Sequence, residues 1–449
     1  MERFRVEATN ETISTQGGNL LLGTLINKST IAESANELMK NHCTTEFDIQ
    51  TSDVIVSYLG ILSQAQVAFD AIEQFREDPC FIKMMGLSSV PSSSTLRQRL
   101  DLIGELAHKE MIELIMQTSC SAIGNMQAEI SPCFSDYVPL DVDVSPFDNS
   151  NTQKEGIGFT YKKVVGYAPI FAYLGQEGFC VNVELREGTH HCQKETPEFL
   201  EVSINNARLA TNAKILVRLD SGNDSSDNMA LFQKLSVDFI IKRNPRKENL
   251  AQHFANAEEN GTQIDDIRDG KRVFVYEHSK LPKGCEKAVR IVTFATERTS
   301  KANGQILLQP EYEIESYYVS LPPKIASSLD VQKLYHNHGT SEQFHSEIKT
   351  DLNLERLPSG KFATNAIVLA LGAFSYNLLR MMGQESLKVD DCPPTQHKIQ
   401  RRRIRTVIDR YISLAVKMVY HARTWVVKLS SYNPWLPSYK RMYEAFSAL

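Results

Sequence analysis

Apolar positions recur at helical spacing through the first third of the chain. Residues 19–41 and 52–76, with Val54, Tyr58, Ile61 and Leu62 as one instance, predict core-facing helices, with a short loop at Glu77 to Pro79. Ahead of them MERFRVEATN reads as a short strand, followed by a polar run holding Gly17 and Gly18. From Pro91 to Glu110, any of Ser92, Ser93 and Ser94 can satisfy free N–H groups at a helix start, and Leu96, Leu100, Ile103 and Leu106 form the apolar stripe. Helical spacing continues over 111–136 and loosens at SPCFSDY. Near residue 130 the period drops from about 3.6 residues to about 2.

The period-2 stretch opens with Leu140, Val142 and Val144 alternating with Asp141 and Asp143, which puts both aspartates on one face of a strand ended by Pro146. Apolar stretches at 164–174 and 179–185, separated by a turn at Gly175 to Gly178, predict neighbouring strands, and a helix over 195–210 follows. Ile215, Leu216, Val217 and Leu219 form a run suited to a buried central strand, and Asp220 sits where it gives way to a loop. A helix at 227–236 and a strand at Asp238 to Lys242 come next. From 243 to 330, NPRKEN, DIRDGKR, LPKG and LPPK interrupt alternating runs at 271–277, 288–296 and 312–320. That stretch is too long for a structureless loop and reads as a β-rich insertion. Helical structure is expected to resume by Glu342 and continue, with breaks, to the end, including a buried helix over 363–382.

The expected fold class is α/β. Its segments are a helical N-terminal domain at 1–130, a candidate for binding DNA ends; a catalytic core in two parts, 131–242 and 331–385; the β-rich insertion at 243–330 between them; and a basic helical C-terminal region at 386–449. With 449 residues, 42% hydrophobic and 23% charged, the composition is that of an ordinary soluble protein. No N-terminal stretch has the signal-peptide pattern and no apolar run reaches the roughly 20 residues of a bilayer span, so a cytoplasmic location without a membrane partner is expected. Eight cysteines without a CxxC pair suit a reducing compartment. A net charge of −5 argues against a uniformly basic nucleic-acid binder. Yet residues 1–130 hold 9 Lys or Arg against 17 Asp or Glu, whereas 390–449 hold 11 against 4. A basic tail of that kind can track phosphates.

Carboxylates far apart in sequence but close in space can hold two divalent cations, and hard Mg²⁺ prefers such oxygen ligands, with Mn²⁺ a possible substitute. Asp143 and Asp220 at strand ends, with Glu342 on a helix packed across the sheet, are the candidate set. Asp141 on the same face, Asp148 in the following loop and Glu347 are competing acids. Glu342 and Lys349 lie seven residues apart, two turns of a continuous helix, so they share a face, one for metal and one for phosphate. Tyr335 and His338 approach from the preceding turn, which Gly339 permits. His190, His191 and Cys192 are zinc-ligand types, but adjacent residues in one loop cannot complete a tetrahedral site without distant partners.

These motifs resemble those of bacterial insertion-sequence transposases with an RNase H-like DDE catalytic domain, of the type called transposase DDE domain group 1. That family's signature of Tyr, two residues, Arg, three residues, Glu, six residues and Lys corresponds to Tyr335, His338, Glu342 and Lys349, with His338 standing at the arginine position. Its first aspartate, in an LDxD strand, falls at Asp143. Its RxDSG segment is carried by Arg218, Asp220, Ser221 and Gly222, its Asn-Arg-Gly-Thr-x-Glu run by Asn337 to Glu342, and its downstream asparagine by Asn365. The paired features run from the Gly17–Gly18 pair through PSSSTL to the HAR at His421–Arg423. The resemblance implies an RNase H-like core and catalysis with two Mg²⁺ ions at Asp143, Asp220 and Glu342. It also implies binding of terminal inverted repeats, joining of 3′-hydroxyl ends to target DNA, and a homo-oligomer that bridges two ends.

Basic residues elsewhere are expected to meet double-stranded DNA, mostly at phosphates. Arg97 and Arg99 lie near the start of a capped helix that can enter a major groove or contact phosphates, a plain surface helix being the alternative. Lys242, Arg243, Arg246 and Lys247 follow a strand close to the site, Arg218 belongs to the second motif, and Arg401, Arg403 and Arg405 stand in the basic tail. Two alternative functions remain: a metal-dependent nuclease that cleaves without joining, and an inactive DNA-binding derivative.

Overall fold

The computed structural model describes residues 4–190, 193–264, 269–301, 303–394, 397 and 399–449. Helical spacing near the start becomes α1 (Asn19–Asn27), α2 (Ile31–His42), α3 (Thr51–Leu62), α4 (Pro79–Met85) and α5 (Ser93–Asn125). The helix expected over 52–76 stops at Leu62, because Ala65 takes a left-handed conformation (φ 59°), and a 3₁₀ turn at Phe69–Phe75 follows. Ser92 caps α5 by accepting from the Thr95 N–H. Leu96, Leu100 and Ile103 are buried as the stripe requires, whereas Leu106 is exposed where the helix kinks at Ala107. Thus α5 is a 33-residue core helix rather than a short recognition helix. Residues 4–10 form no strand; the first is Ile13–Ser14.

The alternating run at 137–144 forms β1 (Tyr137–Val144), and both of its faces are covered: Asp141 is 1% exposed. Pro169 splits the expected strand over 164–174 into Val165–Tyr167 and β2 (Ile170–Leu174), after which β3 (Phe179–Glu184) returns antiparallel. Helix α6 (Thr196–Ala210) then crosses to β4 (Lys214–Leu219), and α7 (Ser226–Leu235) crosses to β5 (Asp238–Lys242). β4 is parallel to β1 and β5 to β4, with Val142 opposite Leu219. Asp143 and Asp220 therefore leave the ends of adjacent parallel strands, where carboxylates can face a common space.

The β-rich insertion forms, and it is continuous with the core. β6 (Thr262–Ile264), β7 (Lys271–Lys280), β8 (Val289–Ser300) and β9 (Ile306–Val319) are antiparallel, and β9 pairs with β5 through Tyr317 and Lys242. Among the described residues this makes one nine-stranded mixed sheet, in the order β6-β7-β8-β9-β5-β4-β1-β2-β3. Sequence reading missed α8 (Leu250–Asn260), which Asn249 caps by accepting from the Ala251 and Gln252 N–H groups, and which buries Phe254 against Phe274.

Beyond the sheet, α9 (Ser328–His336) opens with a capping box between Ser327 and Asp330. Helical structure does resume, and the breaks fall close to Glu342: a 3₁₀ turn at Asn337–Thr340 precedes α10 (Ser341–Ser346), and a π-helical turn at Glu347–Asp351 interrupts the regular α-helical path expected from Glu342 to Lys349. The apolar stretch becomes α11 (Phe362–Glu385), buried along almost its whole length. Its Thr364 donates to Asp101 of α5 at 2.6 Å.

The C-terminal region departs from the helical expectation. Val416–His421 (β10) and Thr424–Leu429 (β11) form a hairpin before α12 (Leu436–Ala448). Its two-residue turn places Ala422 (φ 49°) and Arg423 (φ 65°) in the left-handed region that such tight hairpins require. Neither residue belongs to the Asn-Gly or Asp-Gly pairs that signal this turn in a sequence. Ile13–Ser14 pairs with β10, so the two ends of the chain share a small sheet. Gly17 and Gly18 permit that approach: a Cβ on Gly18 would stand 2.2 Å from the Tyr411 carbonyl oxygen.

Candidate active site

Asp143 keeps 27% of its side-chain surface at the end of β1. Burial works against its charge, yet His345, His338 and the Val144 N–H hold the carboxyl below its usual range. Asp220 accepts from Asn223 Nδ2 at 2.8 Å and has no cationic partner among the described residues. Burial, and after it the Asp143 charge, raises its proton affinity. Two carboxylates thus lie within each other's field, with hard oxygen donors, the imidazoles of His345 and His338 being the nearby groups that favour their charge. That donor set fits a divalent cation such as Mg²⁺.

Glu342 does not join them. It lies on the exposed side of α10, and among the described residues no three His, Cys, Asp or Glu side chains stand close enough to hold a metal ion. The inward face of α10 is taken by Ser341, Phe344 and His345, which leaves Glu342 on the solvent side. One turn on, His345 faces the site instead, its Nε2 3.4 Å from Asp143 Oδ2. Burial holds this imidazole below its usual pKa, and the buried Tyr173 hydroxyl stands 3.2 Å from its Nδ1. Burial keeps the Tyr173 hydroxyl protonated, so it serves as a neutral hydrogen-bond partner to Nδ1 while Nε2 is the ring nitrogen nearer Asp143. Nothing in the periodicity marked His345 or Tyr173.

Behind the pair lies a buried ionic knot. Arg218 Nε and Nη2 donate to the two Asp141 oxygens at 2.6 Å each, and Nη1 donates to the Leu334 carbonyl at 2.6 Å. His338 Nδ1 meets Asp141 Oδ1 at 2.9 Å. Burial opposes a charged His338, but Asp141 more than offsets it and raises the imidazole's pKa. Arg218 and His338, both expected at DNA, are instead engaged inside the protein and tie β1 and β4 to the turn after α9. Asp141 is thereby removed as a rival metal ligand.

The other expected contacts divide by burial. Tyr335 is half-buried, with its hydroxyl proton held more tightly by burial and then by Asp220 and Asp143, and Lys242 Nζ lies 5.6 Å from its ring centre. Lys349 donates to the Pro146 carbonyl at 2.5 Å, within the field of Asp143. Arg97 is exposed, but Arg99 is buried, donating to the Ile49 carbonyl at 2.6 Å and to Thr51 Oγ1 at 2.9 Å. Arg243 pairs with Glu248. Arg401 and Arg403 clamp the π-helical turn through Glu347 (2.6 Å) and Asp351 (2.8 Å), and Arg405 meets Asp409 at 3.6 Å. Glu347 also binds the fully buried Arg380, which excludes it as the alternative acid. Of the zinc-type residues, His190 Nε2 contacts the Lys194 carbonyl at 3.1 Å, and His191 and Cys192 lie outside the described residues.

Over residues 1–449 the sequence matches the family described as transposase DDE domain group 1. The chain belongs to that family. As a DDE transposase it is a DNA-binding, DNA-cutting protein of mobile elements. No curated protein sequence matches this transposase. Among solved structures it has a faint similarity to the piggyBac transposase synaptic complex with hairpin DNA, studied by cryo-EM. The identity is 9% and the TM-score 0.39, over 90% of this chain and 83% of that one, too slight to bear on fold or function.

Proposed function

We propose that this transposase cleaves DNA at the terminal inverted repeats of an insertion element and joins the 3′-hydroxyl ends to target DNA. The strand order β3-β2-β1-β4-β5, with β4 and β5 parallel to β1, supports an RNase H-like core that presents Asp143 and Asp220. The carrying observation is that convergent pair, with Asp220 made more basic by burial and by Asp143. Asp143 and Asp220 would hold Mg²⁺ or Mn²⁺, with Glu342 as the third acid once α10 turns towards them on DNA. When bound, the metal supplies activation of the attacking water or 3′-hydroxyl and stabilisation of the leaving oxygen. His345 orients the Asp143 carboxylate, and Lys349 and Tyr335 flank the path of the phosphate. A homo-oligomer would bridge the two element ends, in the cytoplasm.

The test is incubation of the purified protein with candidate element ends and target DNA, with and without Mg²⁺, followed by strand-resolved product analysis. Asp143→Asn, Asp220→Asn and Glu342→Gln should each abolish cleavage and joining; unchanged products from any of them would refute its role. One observation favours a second reading, an inactive DNA-binding derivative: Glu342 stands apart from the aspartates. That reading requires salt-dependent DNA binding without any Mg²⁺-dependent product.

A further inference from the structure

The hairpin of β10 and β11 has an inner face built by its two-residue period, in which Val416, Met418 and Tyr420 stand opposite Leu429, Val427 and Trp425. At its base that face is sealed: Val416 and Met418 are buried against Cys80 and Met84 of α4. Towards the tip the same face runs bare. Tyr420 is 58% and Trp425 45% exposed, and their rings pair at 4.9 Å between centres. Beside Trp425 opens a groove of about 770 Å³, lined also by Lys83, Lys428, Lys440, Tyr443 and Glu444. None of the three lysines makes an ion pair among the described residues. Residues 416–429 contain Lys417, Arg423 and Lys428 and no acid, in a chain whose net charge is −5. Arg423 stands exposed at the tip.

We infer that this groove and the hairpin tip beside it take an unpaired DNA strand, with bases stacked on Trp425 in the groove and Tyr420 at the tip, and phosphates held by Lys83, Lys428 and Lys440 in the groove and Arg423 at the tip. Aromatic faces interleaved with free cations are what a single strand requires, since each base offers a π-face and each linkage a negative charge. A second copy of this chain suits the face poorly, because a twofold contact would set unpaired lysines against unpaired lysines. The inference rests on the DNA-acting reading and adds a binding site to it.

The chain has two tryptophans, and Trp435 packs edge-on to Tyr411 at 5.3 Å, so a ligand on the groove reports through Trp425. A mixed-sequence single-stranded oligonucleotide should quench the emission of the full chain, and Trp425→Phe should lose that quenching. Combined Lys83→Gln, Lys428→Gln and Lys440→Gln should weaken binding at least about fivefold and flatten its salt dependence by roughly 0.7 per lost phosphate contact. Folding of each variant is checked by circular dichroism and size by light scattering. Quenching that survives Trp425→Phe, affinity unchanged in the lysine variant, or a dimer that Trp425→Phe disperses would each overturn the inference. If these fail while cleavage still needs Asp143 and Asp220, the groove assignment falls alone. If no DNA is bound or cut at all, the DNA-acting reading falls with it.

Discussion

At the scale of single residues, the acid pair makes opposite demands on stability and on catalysis. Asp220 has its proton affinity raised in the folded chain, so the metal-free protein is most stable with that carboxyl protonated. This contribution is full below the unfolded aspartate value and is lost as pH rises through the folded one. Asp220→Asn should therefore stabilise the metal-free protein at neutral pH, by an amount on the order of 0.5–2 kcal/mol. Mg²⁺ should raise the melting temperature of the native chain and leave that of the variant unmoved; differential scanning fluorimetry with and without Mg²⁺ reads both. For His345, held between Tyr173 and Asp143, His345→Ala should reduce Mn²⁺ affinity about 10- to 100-fold, with partial recovery in His345→Gln. Titration calorimetry without DNA separates this from any effect on substrate.

Between elements, the knot of Asp141, Arg218 and His338 fixes the strand ends to the turn after α9. Arg218→Ala leaves Asp141 buried with His338 as its remaining charged partner, and should cost about 3–5 kcal/mol in chemical denaturation. Asp141 has its carboxyl pulled below the usual range: burial opposes its charge, but Arg218 and His338 prevail. The stability it gives is present above the unfolded aspartate value and lost as pH falls through the folded one, so the joint should hold until the pH is below the usual aspartate range. The sequence placed Asp141 and Asp143 on one face of a strand, and Asp220 at the end of the next, because strand alternation and apolar runs report burial directly. It could not show that Arg218 and His338 face inward, since a motif records which residues occur but not which way the backbone turns them. The same limit hid that Ser341, Phe344 and His345 take the inward face of α10 and leave Glu342 on the solvent side. The C-terminal hairpin was missed because its turn uses Ala422 and Arg423, residues with no turn signature.

For the molecule as a whole, the β-rich segment was legible as strands, but its merger with the core was not, because strand pairing between residues as distant in sequence as Lys242 and Tyr317 leaves no local mark. The closed circuit between the chain ends is equally invisible in a linear pattern, apart from the Gly17–Gly18 pair. Gly18→Ala would force a methyl against the backbone of Tyr411 and Ile412. It should cost about 1–3 kcal/mol and expose the C-terminal hairpin to limited proteolysis before the central sheet unfolds.

The splice between β9 and β5 has a mechanical meaning. At 14 residues, β9 extends about 45 Å from its outer end to the strand that neighbours the one ending at Asp220. Since one and the same strand forms the outer arm and hydrogen-bonds to β5, a load on the far end reaches the central sheet through backbone pairing, with no linker between them to absorb it.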